Sequence, residues 1–170
     1  MLNKVQYNWE EIKWILIPDG SLRNIHIDNT TINDWKLLID FLDKGFVELF
    51  GKQHQINIEN IDRNYIDYYL LNLENLDAET IHIRIDQVLI NCHPYNETEI
   101  EFDISTKEIK SNIEFDLILK FMNIMRLKFQ KPIRLTDVGE EDENLIIIHS
   151  NGKSELLSKD RNMKEFKFNQ

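Results

Sequence analysis

Apolar and polar residues alternate most regularly between Thr80 and Ile104. Ile81, Ile83 and Ile85 are separated by His82, Arg84 and Asp86, and the same two-residue period runs on through 87–93 and 98–104. Successive side chains on a strand point to opposite faces, so the pattern predicts three strands, each with one apolar and one polar face. Pro94-Tyr95-Asn96-Glu97 is the turn between the second and the third, and the simplest arrangement is an antiparallel meander. Earlier in the chain, the apolar run Trp14 to Ile17 stops at Pro18-Asp19-Gly20-Ser21, and alternation resumes over 22–27. Proline presets φ and glycine accepts the positive φ of a tight turn, so a hairpin of 13–17 with 22–27 is expected.

Two stretches carry the helical period instead. Thr31 precedes Ile32, Trp35, Leu38, Ile39 and Leu42, with Asp34 placed to complete a capping-box-like pair and Gly45 as the C-terminal cap, which predicts a helix over 31–43. Ser111 and Glu114 form a capping-box signature ahead of Phe115, Ile118, Leu119, Met122, Met125 and Phe129, a longer helix over 112–130 with its exit at Pro132. Strands are expected at 46–50, 55–61, 133–138 and 145–149. A short helix is expected over 64–76, although Tyr65, Tyr68 and Tyr69 suit a strand equally. Residues 139–143 read as an acidic loop and the tail from Asn151 as loosely held. Trp9 lies outside any periodic stretch, where a half-exposed aromatic could anchor a partner. The expected fold class is α+β: a largely antiparallel sheet built from hairpins and a meander, with two main helices packed on it, as a single domain over 1–170.

Composition narrows the function classes. An apolar fraction of 42% and a charged fraction of 29%, spread along 170 residues, are those of a globular chain and exclude wholesale disorder. The net charge of −10 repels phosphate, and no basic stripe is present, which argues against a nucleic-acid partner. Cys92 is the one cysteine, so no intramolecular disulfide can form and a stapled secreted scaffold is excluded. The first residues lack the organisation of a signal peptide, and no run reaches the ~20 apolar residues of a membrane helix. A cytoplasmic location without a membrane partner is the expectation.

No phosphate-binding, metalloprotease, nucleophile-elbow or paired-cysteine motif is present, and no cofactor is expected. Cys92-His93 brings a thiol beside an imidazole, but neighbours on a strand face opposite ways, which favours a buried thiol with an outward histidine. His26, His54, His82 and His149 show no ligand spacing, so no metal site is expected unless tertiary contacts assemble one. Glu99, Glu101 and Asp103 alternate with Ile100, Phe102 and Ile104, which sets three carboxylates in a row, roughly 7 Å apart, on one strand face. Such a row is either the solvated face of a half-buried sheet, paired across strands with Arg84 or Lys107, or a docking row for a cationic partner. Glu140, Glu141, Asp142 and Glu143 would extend the docking row. Catalysis or metal binding needs carboxylates that converge rather than march in line. The preferred reading is a non-catalytic binding protein. A small enzyme using scattered groups such as His82, His93 and Glu101 stays open, as does an adaptor with an exposed apolar patch.

Several segments resemble those of small bacterial immunity proteins of polymorphic-toxin systems. They are Ile17-Pro18-Asp19-Gly20-Ser21-Leu22-Arg23-Asn24-Ile25, the helix start Thr31, Asp34, Trp35, then Ile100-Glu101-Phe102-Asp103-Ile104, Phe121-Met122 and Lys131-Pro132-Ile133-Arg134-Leu135-Thr136. Together they cover about a third of the chain. The resemblance implies an acidic α+β inhibitor without catalysis that neutralises a cognate toxin by binding it. The partner would then be a basic toxin domain, with no binding residues carried over to particular positions.

Overall fold

A computed structural model describes residues 5–42, 56–57 and 80–168, with only the backbone of Ile56, Asn57 and Glu141. The strands expected at 46–50 and 55–61 (apart from 56–57), the helix over 64–76, the Gly45 cap and His54 lie outside the described residues. The chain folds as two compact units, one of residues 1–25 with 105–170 and one of residues 26–104. The class is α+β with a mainly antiparallel sheet, as the alternation predicts.

In the first unit, β1 (Val5–Gln6), β10 (Met163–Phe168), β9 (Ser154–Leu157), β8 (Glu140–Ile148), β7 (Ile133–Asp137) and the start of β2 (Leu22–Asp28) follow one another across the sheet. Each neighbouring pair from β1 to β7 is antiparallel. The long helix α3 (Asn112–Phe129) lies against β7 and β8 and buries Phe115, Ile118, Phe121, Met122 and Met125. Its capping box forms as the sequence predicts: the Ser111 hydroxyl accepts from the Ile113 N–H at 3.2 Å, and Glu114 accepts from the Ser111 N–H at 2.8 Å. Gln130 closes the helix in the left-handed region at φ 55°.

Three expectations are corrected here. Residues 13–17 form no hairpin arm: α1 (Trp9–Ile12) runs into a 3-10 turn over Lys13–Leu16, with Ile12, Ile15 and Leu16 buried and Ile17 exposed. The run Trp14 to Ile17 looks like a strand in isolation, but joined to Ile12 its buried members fall at steps of three and four. The described residues therefore hold three α-helices, and Trp9 begins the additional one, its ring 5.9 Å from that of Phe115. The acidic stretch 140–143 belongs to β8 rather than to a loop. Thr136 pairs with Asn144 and Asp137 with Glu140, so 141–143 are extra residues inserted opposite one step of β7. The tail is a hairpin of β9 and β10 with Ser154, Leu156, Leu157 and Phe166 buried. Its periodicity is weak because β10 buries Phe166 and leaves its other residues at least partly accessible.

The turn before β2 is locked by one side chain. Arg23 is 3% exposed, and its Nε donates to the Ile15 carbonyl at 2.7 Å. Nη1 donates to Asp137 at 3.0 Å, to the Leu22 carbonyl at 3.1 Å and to the Ser21 hydroxyl, while Nη2 reaches Asp19 at 3.4 Å. Burying a guanidinium costs free energy unless its donors are met in this way. Asp19 also accepts from the Ser21 hydroxyl at 2.6 Å and the Ser21 N–H at 2.9 Å, and these bonds, with the nearby Arg23, lower its pKa from 3.8 to about 2.

In the second unit the order is the end of β2, then β6 (Glu99–Ser105), β5 (Val88–His93), β4 (Ile81–Ile85) and β3 (Ile56–Asn57), with β6 to β3 antiparallel. The meander is therefore present, its first turn made by Asp86 and Gln87 with Asp86 at φ 52°. Ile81, Ile83, Ile85, Val88, Ile90, Cys92, Ile100, Phe102 and Ile104 are all buried on one face of it. Helix α2 (Ile32–Asp40) has the Thr31/Asp34 capping box and buries Trp35, Leu38 and Ile39.

Two outcomes are expected. Ser111→Ala should lower stability in urea by about 1 kcal/mol by removing the cap of α3. Asp19 has a depressed pKa, so its contribution is complete above about pH 4 and is lost as pH falls towards 2. The stability difference between the parent chain and Asp19→Asn should shrink over that window, as read from melting temperatures along a pH series.

Candidate functional site

The face of the second unit's meander opposite its apolar core carries the ionisable residues, because the two-residue period puts every second side chain there. His82 of β4 stands opposite Asn91 of β5, Asn91 opposite Asp103 of β6, and His93 opposite Glu101. These groups form a connected set of hydrogen bonds. His82 Nδ1 lies 2.8 Å from Asn91 Oδ1, and Asn91 Nδ2 donates to Asp103 Oδ1 at 2.8 Å. The other oxygen of Asp103 bonds His93 Nε2. A carboxylate only accepts, so Nε2 carries the hydrogen and Nδ1 of a neutral ring accepts from the Thr80 hydroxyl at 3.3 Å. Tyr95, 53% exposed, stacks flat on the His93 ring at 5.1 Å.

A second group forms between β2 and β6. His26 is 1% exposed, and its Nδ1 lies 2.5 Å from Glu99 Oε1. The Glu101 carboxylate is close enough that one donor atom from each of His26, Glu99 and Glu101 lies within 4.8 Å of the others. The expected row of acids is thus placed on one face, but Glu99 and Asp103 bond histidines rather than Arg84 or Lys107. Asp103 is also buried, at 6% exposure, so it is no open docking group. Cys92 faces the core, where complete burial raises its thiol pKa well above the ordinary value, reinforced by the charges of Glu101 and Asp103. The thiol is therefore protonated and inert, and His93 points away from it as the alternation predicts.

The other acids expected at a binding surface belong to the first unit. Glu140 and Asp142 are exposed, Glu143 pairs with Arg161 at 2.5 Å, and the Glu141 side chain lies outside the described residues. That unit also has a groove of about 460 Å³ lined by Arg126, Lys153, Glu165 and Lys167 among others. Lys153 is paired there with Glu165 at 3.4 Å and with Glu155 at 3.2 Å. Tyr7 donates to Asp116 at 2.7 Å, and burial first, then Asp116, raises its pKa. His26 is the residue that sequence reasoning missed. It sits 73 positions from Glu99, so the one available sign was a histidine between Ile25 and Ile27 in the expected strand.

Asp103→Ala should cost about 1–3 kcal/mol in urea denaturation, because Asn91 and His93 lose a buried acceptor. Glu143→Ala, which breaks an exposed pair, should change stability by less than about 1 kcal/mol. No family model, no curated protein and no solved structure matches this chain.

Proposed function

We propose that the chain is a non-catalytic, cytoplasmic binding protein that docks a basic protein partner on the polar face of β4, β5 and β6, in the manner of an immunity protein that neutralises a toxin. The observation that carries this reading is a fixed set of acids beside an exposed aromatic ring. Glu99 is held in place by His26, the buried Asp103 holds His93 and Asn91 beneath the face, and Tyr95 stands on His93 with half its surface in solvent. A carboxylate already held by neighbouring strands loses little side-chain freedom when a cation arrives, and a tyrosine is a common interface anchor. The chain's net charge of −10 would speed the approach of a basic partner. The exposed acids Glu140 and Asp142 on β8 are a second acidic element of the proposal. Among the described residues, no helix is long and apolar enough to cross a membrane.

The resemblance to immunity proteins supports the reading through its segments as a set. Asp19, Ser21 and Arg23 within them serve the turn before β2, so they speak for fold and not for a contact surface.

The test is growth of a host expressing the open reading frame beside this gene, with and without this chain. Relief of toxicity is expected. Glu101→Lys combined with Tyr95→Ala should weaken binding of the rescued toxin at least tenfold, with the melting temperature of the chain unchanged. Relief with undiminished affinity in that variant would remove the polar face from the proposal, and toxicity that this chain leaves unrelieved would remove the immunity reading.

A further inference from the structure

We propose that His26, Glu99 and Glu101 form a three-ligand site for a divalent transition-metal ion of the zinc class. The three donors come from two neighbouring strands, with the end of β2 supplying an imidazole and β6 supplying two carboxylates spaced two residues apart on one face. One donor atom of each lies within 4.8 Å of the others, and His26 Nδ1 and Glu99 Oε1 are 2.5 Å apart. Zinc–nitrogen and zinc–oxygen bonds of about 2.0–2.2 Å require donors roughly 3–3.5 Å apart around a tetrahedral ion. Binding in that geometry requires the His26–Glu99 contact to open and the Glu101 carboxylate to turn towards them.

The chemistry of the donors selects the ion. Calcium and magnesium take sets of six or more oxygens, whereas an imidazole with two carboxylates suits zinc and its neighbours. Metal binding needs the Nδ1 lone pair, so the hydrogen shared between His26 and Glu99 leaves to solvent as the ion enters. His26 is buried and holds the inner side of the site. Glu99, 26% exposed along its side chain, and the half-buried Glu101 leave the outer side to a water or an added ligand, as an open coordination position requires. His93 stands opposite Glu101 across the β5–β6 pair and bonds Asp103, which fixes the strand beside the ligands.

The site needs no protein partner, so its test uses the chain alone. Chelator-stripped protein is dialysed to equilibrium against micromolar zinc in millimolar magnesium, and bound metal is measured per chain. One zinc per chain is expected. Glu101→Gln, which spares the His26–Glu99 pair, should weaken binding at least tenfold with an unchanged melting temperature, and His149→Ala should bind as the parent does. No retained zinc, or equal binding by Glu101→Gln, would overturn the proposal. Zinc lost from His149→Ala instead would assign it to the part-buried His149–Glu155 pair and overturn it equally.

Discussion

Burial of β2 on both faces is the constraint from which much of the remaining structure follows. Residues 23–27 of this strand are all buried, yet three of them are Arg23, Asn24 and His26. Ile25 and Ile27 need no partner in the core, but a guanidinium and an imidazole do. Arg23 is met by the Ile15 carbonyl, Ser21, Leu22, Asp19 and Asp137, which brings a 3-10 turn, a tight turn and the end of β7 to one group. His26 is met by Glu99. Arg23 belongs to the first unit and His26 to the second, and each is met by partners within its own unit.

The same requirement gives the meander's polar face its character. Three acids in alternation would ordinarily repel one another along a solvated strand. Here Asp103 accepts from Asn91 and His93, and Glu99 is beside His26, so repulsion is answered by donors on the adjoining strands. The acids are consequently ordered, and a face of ordered acids with Tyr95 at its edge differs from a merely soluble one. Cys92, one residue from His93 in the chain, lies on the opposite side of the strand, where burial first and then the charges of Glu101 and Asp103 keep its thiol protonated.

The motifs most visible in the chain turn out to be structural. Pro18-Asp19-Gly20-Ser21 with Arg23 closes a turn, and Thr31/Asp34 and Ser111/Glu114 cap helices. The caps and the Asp19–Ser21 bonds work within a few residues, which makes them readable in one dimension, whereas the bond from Arg23 to Asp137 reaches across the fold. The groups that carry the functional proposals depend instead on strand neighbours: His82 with Asn91, Asn91 with Asp103, and His26 with Glu99.

The sequence by itself determined the alternation of the meander, both capping boxes, the span of the long helix, the outward turn of His93 from Cys92 and the placing of Glu99, Glu101 and Asp103 on one face. All of these follow from local geometry, the two-residue period of a strand or the 3.6-residue period of a helix. Tertiary structure decided that 13–16 continue a helical turn, because burial of Ile15 and Leu16 beside Ile12 outweighs the strand preference of a short apolar run. It also decided that 140–143 join β8 and that the tail closes as a hairpin, since the pairing of Glu140 and Asn144 with β7 and of β9 with β10, rather than periodicity, defines those segments. Above all, it decided that His26 meets the acidic row. Which strand lies beside β6 is set by tertiary pairing within the second unit, and no spacing along the chain encodes it.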